Sequence, residues 1–171
     1  MSIELILTAL KQRFAKEDYI TLHRENGEII TKVTCEWNNP ASDEELQEFA
    51  LKTQQVLPKE LYSFLKQTNG AKIFSIDGLD YLEIYDLPEM INYVDEYKTN
   101  IYYHVYDKNW YMIGRYRGYG DYIFVDSQKV KNGEEDYLIY VQVGDIQRLP
   151  MNFETFLDRF IVAQGARYWL W

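Results

Sequence analysis

The amino-acid sequence predicts an α+β fold, with antiparallel strands in the middle of the chain and helices towards both ends. Three observations carry that prediction. The apolar residues recur at helical spacing near the two ends, as in Ile3, Ile6, Leu7 and Leu10 or Phe153, Phe156, Leu157 and Phe160. Between Ala71 and Val143 the period shortens to that of a strand. Asn-Gly pairs, the strongest short hairpin signal, punctuate the chain at Asn26-Gly27, Asn69-Gly70 and Asn132-Gly133.

Ser2 to Phe14 reads as the first helix, and Tyr19–Leu22 and Ile29–Thr34 read as strands joined by a Glu25-Asn26-Gly27-Glu28 turn. Pro40 closes that unit. Ser42 and Glu45 form a capping box that opens a helix turning Leu46, Phe49, Ala50 and Thr53 inward. Leu57-Pro58 interrupts it and starts another, where a missing N–H is harmless. That helix carries Leu61, Phe64 and Leu65 inward, with Asn69-Gly70 as a left-handed stop. The strand candidates are Ala71–Ile76, Leu79–Ile84, Trp110–Gly114, Tyr122–Val125 and Tyr137–Val143. Leu87-Pro88 begins a helix with Met90, Ile91 and Val94 inward, Lys131–Glu134 is a turn, and a last helix starts near Asn152.

A chain of 171 residues suits one domain better than two. Its 47% hydrophobic and 26% charged residues are globular in proportion. Leu5-Ile6-Leu7 and Phe160–Ala163 fall far short of the roughly 20 apolar residues of a membrane span, and no signal peptide precedes them. One cysteine, Cys35, in an apolar setting, allows no internal disulfide. These features together predict a cytoplasmic protein. The net charge of −9 disfavours nucleic acid and favours a basic protein partner, besides aiding solubility. The 16 tyrosines crowd between Tyr81 and Tyr140, where they suit half-buried strands and also protein interfaces.

Catalytic constellations do not emerge. His23 and His104 stand without a local motif, HxxxH and CxxC spacings are missing, and no phosphate-binding loop is present. Neither a metal nor a cofactor is therefore expected. Asp43-Glu44-Glu45 complements a helix dipole, and Glu134-Glu135-Asp136 follows a turn. Arg117–Phe124 approaches an RNA-binding strand motif, but Asp121 stands where a base-stacking aromatic belongs, which argues against RNA.

Several segments, in order, resemble the SUKH superfamily, which includes the yeast cell-wall regulator of the Smi/Knr type. They are Asn39-Pro40-Ala41-Ser42, Leu46–Phe49, the Leu57-Pro58 helix through Phe64 and Leu65, Thr68-Asn69-Gly70-Ala71, Gly120-Asp121 through Asp126, and Phe153–Leu157. The usual glycine after the first of these helices is missing, since Gln54-Gln55-Val56 precedes Leu57. The resemblance spans about Asn39 to Val162. Residues 1–38 then form an amino-terminal helix-and-hairpin extension and 163–171 a tail, all within one SUKH-like domain. It implies a mixed, mostly antiparallel sheet of about six strands with flanking helices. Leu57, Pro58, Phe64, Asn69, Gly70, Gly120 and Asp126 are marks of that fold rather than of an active site.

The resemblance also implies a non-enzymatic role in binding proteins, chiefly as immunity partners of polymorphic toxins, many of them nucleases. The expected partner is a basic toxin domain. A regulatory scaffold for an endogenous protein or ligand is the alternative, and a homo-oligomer stays open. The surplus aromatics and nearby acids place the expected contact surface at Tyr103, Tyr106, Asp107, Trp110, Tyr116, Tyr119 and Asp121, around the loop between Arg115 and Asp121.

Overall fold

The computed structural model describes residues 2–23, 27–99, 106–143 and 145–170, the side chains of 97–99 excepted. Eight strands pair in sequence order into one sheet, every neighbour antiparallel. They are β1 (Ile20–His23), β2 (Ile29–Trp37), β3 (Ala71–Ile76), β4 (Asp80–Ile84), β5 (Trp110–Arg117), β6 (Asp121–Asp126), β7 (Leu138–Gln142) and β8 (Asp145–Leu149). The α+β class holds, with no parallel pair among the described strands.

The helices are α1 (Ile3–Lys16), α2 (Asp43–Thr53), α3 (Lys59–Leu65), α4 (Leu87–Thr99), α5 (Ser127–Lys131) and α6 (Phe153–Val162), followed by a 3-10 turn at Tyr168–Leu170. The apolar stripes meet where the sequence aims them. Phe64 of α3 packs edge-on against Phe153 of α6, with ring centroids 5.4 Å apart. Phe49 of α2 meets Tyr111 of β5 at 5.4 Å. Phe74 reaches Phe14 and Phe160 because its own φ of 57° lies at an irregularity in β3, which turns both Ile73 and Phe74 inward.

The family-like marks each have a local cause. The Ser42–Glu45 capping box forms in both directions. Gln54 takes the left-handed position where the glycine is missing, at φ 60°, and its N–H donates to the Ala50 carbonyl. Leu57 is half-buried against the core, Pro58 is the N-cap of α3, and Phe64 is fully buried. Asp126 caps α5 by accepting from the N–H groups of Gln128 and Lys129.

Three expectations need correction. Asn69-Gly70 does not stop α3, which closes at Lys66 with Gln67 and Thr68 both donating to the Phe64 carbonyl. Asn69 instead joins α2, α4 and the loop before α2: its N–H donates to the Asn39 carbonyl, its Nδ2 to Glu45 and its Oδ1 accepts from the N–H of Leu87. Gly70 is required by φ 89° and by close approach, since a Cβ there would lie 2.9 Å from the Asp86 nitrogen. Ala50 is exposed, at the edge of a narrow stripe formed by Leu46, Phe49 and Thr53. Finally, Gly114 does not end β5. It sits mid-strand, where a Cβ would come within 2.2 Å of the Glu83 oxygen of β4. The elements α5 and β8 had no periodic signal, one being too short and the other exposed along all but its last residue.

Candidate functional site

The β5–β6 hairpin places the predicted contact residues. Its turn, Gly118-Tyr119-Gly120, needs φ of 101° and 68° at the two glycines. The turn ends on Asp121, which has no exposed surface and accepts from Gln142 Nε2 at 2.8 Å and Arg167 Nη1 at 2.9 Å. The Arg167 guanidinium also lies 3.6 Å from the centre of the Tyr119 ring. Tyr119 is therefore 44% exposed yet pinned on one side by a cation.

Tyr116 lies inside the protein. Its ring meets Phe160 and Trp169, and its hydroxyl donates to the Gly165 carbonyl at 3.1 Å. Tyr116 and Asp121 are thus supports of the hairpin and not surface anchors. Strand alternation is the cause, because the Leu82–Tyr116–Asp121–Gln142 row faces the helices.

The other predicted residues gather at the far end of β5, about 23 Å away along a strand of this length. Trp110 is half-buried, donates to Asp126 Oδ2 at 3.2 Å and lies under the Arg148 guanidinium. Tyr106 packs on Phe124 at 5.2 Å, and Asp107 is exposed, accepting from Asn109. Tyr103 lies outside the described residues, as does His104. The structure accordingly separates the loop from the tyrosine-rich segment before it, so that the described residues form two clusters. Of the ten tyrosines between Tyr81 and Tyr140 whose side chains are described, six are core: Tyr81, Tyr85, Tyr111, Tyr116, Tyr137 and Tyr140 are buried. Tyr111 donates to the Val56 carbonyl and Tyr137 to Glu60.

A third feature was not foreseen in the sequence. Cross-strand pairing lines up Glu36, Lys72, Glu83, Arg115 and Tyr122 in one row over β2, β3, β4, β5 and β6. At its β2–β4 end a small cleft of about 90 Å³ is lined by Glu36, Asn38, Lys72, Glu83, Asp86 and Glu89, among others. Lys72 pairs with Glu36 at 2.8 Å and Arg115 with Glu83 at 2.7 Å. Asp86 and Glu89 have no ion pair among the described residues, and Asp86 caps α4 by accepting from the Glu89 N–H. Burial, reinforced by the charges of Asp86 and Glu83, raises the Glu89 carboxyl above its ordinary range, with Arg115 opposing. Acids spaced through Glu83, Asp86 and Glu89 at the strand-to-helix junction were the available signal, but only the β2–β3 register brings in Glu36.

Such a cleft can receive an ammonium or guanidinium group. The Cys35 thiol is not activated: burial pushes it up to about 12, and its sulfur accepts from the Phe74 N–H. Among the described residues, no group of three or more Asp, Glu, His or Cys is placed to hold a metal ion. No helix among them is long and apolar enough to cross a membrane.

Comparison with known proteins adds the relationships. Residues 40–159 match the family described as SMI1 / KNR4 family (SUKH-1). The Bacillus subtilis (strain 168) protein YobM, described as uncharacterized, is 29% identical over 174 residues, covering 96% of this chain and 89% of its own. Uncharacterized protein YnaB of the same organism is 29% identical over 140 residues, covering 80% of this chain and 87% of its own.

Proposed function

The chain belongs to the SMI1 / KNR4 family (SUKH-1), and from that premise we propose that it is a non-enzymatic immunity protein that binds and occludes a basic toxin domain. The acidic cleft carries this reading. Its two carboxylates without an ion pair among the described residues, Asp86 and Glu89, repel one another in a partly desolvated site. A partner's Lys or Arg relieves that repulsion. At about 4 Å a single such pair is worth ~1 kcal/mol in water and ~4 kcal/mol in a surface-like dielectric of about 20.

The overall charge of −9 adds long-range attraction, which speeds encounter with a cation-rich partner. A blocker of this kind acts by occupancy and turns nothing over. Its stability against salt then reports the mechanism, because screening lengthens encounter more than it weakens buried contacts.

The test pairs the protein with the carboxy-terminal toxic domain of a secreted protein encoded beside its gene. Co-expression in a sensitive host is expected to restore growth, and the purified domains are expected to form a stoichiometric complex whose association slows with salt. The Glu83→Gln, Asp86→Asn, Glu89→Gln triple variant is expected to associate more slowly. A neighbourhood with no toxic domain, or an association rate flat in salt and unchanged in the triple variant, would refute the proposal and point to a regulatory scaffold.

A further inference from the structure

At the end of the sheet away from the acidic cleft, three turns lie side by side. The β3–β4 turn carries Asp77-Gly78-Leu79, the β5–β6 turn carries Gly118-Tyr119-Gly120, and Val143 follows β7. Their adjacency follows from the sheet. A Cβ on Gly118 would lie 3.8 Å from the Leu79 carbonyl oxygen, and the Asp121–Gln142 pairing sets Gly120 beside Val143. Each turn holds one large apolar side chain in solvent: Leu79 is 72% exposed, Tyr119 44% and Val143 92%.

The fold gives no return for Val143. Its φ of 47° is in the left-handed region, where a β-branched residue is strained and glycine or asparagine is at ease. At 92% exposure the side chain gains almost no burial to offset that strain. Tyr119 is likewise not free to fold away, because Arg167 holds one side of its ring and Tyr116 packs at 5.5 Å. Rigid aromatic and aliphatic groups held in water by a strained backbone are the makings of a preorganised contact. Around them Asp77 and Asp145 are exposed acids, while of the cations nearby Arg117 lies over Tyr81 and Arg167 is paired with the buried Asp121.

We propose that this turn end, centred on Leu79, Tyr119 and Val143, docks an apolar segment of a partner protein flanked by lysine or arginine. This rests on the basic-partner reading above and adds a second contact area to it. The apolar centre supplies the desolvated contact, and the Asp77 and Asp145 rim selects cationic flanks.

The probe is a synthetic peptide of two central leucines flanked on each side by two arginines, with a glutamate-flanked peptide as control. Each is titrated into isotopically labelled full chain and followed by amide chemical shifts. The expected result is saturable shifts at residues 77–80, 117–121 and 142–145 with the arginine peptide, and weaker ones with the glutamate peptide. Tyr119→Ala is expected to weaken binding about tenfold. Val143→Gly is the discriminating variant: it is expected to melt at or above the wild-type temperature while binding at least about threefold more weakly. Shifts confined to residues around Glu36, Glu83, Asp86 and Glu89 would overturn this inference while leaving the basic-partner reading standing. No shifts at the turns, or affinity as in the wild type in both variants, would also overturn it. Preferential binding of the glutamate peptide there would overturn the basic occupant in both readings.

Discussion

Removing Arg167 tests the clamp that fixes the β5–β6 hairpin. Asp121 has no exposed surface in the wild type, and in Arg167→Ala it loses its cation while keeping the Gln142 amide at 2.8 Å. Stripping one member from a buried ion pair costs about 3–5 kcal/mol. The Arg167 side chain is 23% exposed, so water can reach the vacated space, and the cost falls to the bottom of that range or just below it, about 2–3 kcal/mol. Loss of the contact with Tyr119 adds about 0.5–1 kcal/mol. For a chain of 171 residues a total near 3 kcal/mol lowers the melting temperature by about 6–12 °C. The assay is thermal and urea unfolding of the wild type, Arg167→Ala, Asp121→Asn and the double variant. The two single effects are expected to exceed the double by at least ~1 kcal/mol, since asparagine needs no cation. A loss below about 0.5 kcal/mol in Arg167→Ala, or strict additivity, would refute the clamp.

Three further predictions follow from buried groups. Burial raises the hydroxyls of Tyr85, Tyr111, Tyr137 and Tyr168, and pushes Tyr140 up to about 12 with the Asp121 charge reinforcing it. The unfolded chain then ionises first, so this stability is complete below pH ~10 and is lost as pH rises above it. Absorbance at 295 nm should show these tyrosinates appearing together with unfolding, and their smooth titration in the folded protein would contradict the burial. Glu89, its carboxyl raised, is less stable ionised in the fold than in the unfolded chain, so stability rises as pH falls through its folded pKa. Glu89→Gln is expected to melt at or above the wild-type temperature at pH 7, with the difference closing in acid; a clear drop at pH 7 would count against the repulsive cleft. Gly114→Ala, whose Cβ would sit 2.2 Å from the Glu83 oxygen, should cost at least ~2 kcal/mol by urea unfolding, and a neutral result would mean that β4 and β5 separate freely.

Much of the architecture was legible because local rules sufficed. Helical and strand periods, the Ser42–Glu45 capping box and the Pro58 start each act over a few residues, and each appears where the sequence places it. The contact surface was legible only in part. Tyr119 is exposed, but Tyr116 and Asp121 are not, and the difference is one of strand phase at the close of a hairpin. An irregularity in β5 between Met112 and Gly114 resets that phase, at the position where Gly114 lies close against β4, a contact that no window of sequence contains.

By itself, then, the sequence determined the α+β class, the positions of most helices and strands, the family-like motifs and the acidic character, because hydrophobic period, capping and charge are properties of neighbouring residues. Tertiary structure decided which face each tyrosine took, how Glu36 came to stand beside Glu83 and Glu89, and how Arg167 of the tail came to hold Asp121 and Tyr119. Those outcomes depend on register and on burial between segments distant in the chain, and a buried carboxylate finds its cation only once the packing that buries it has formed.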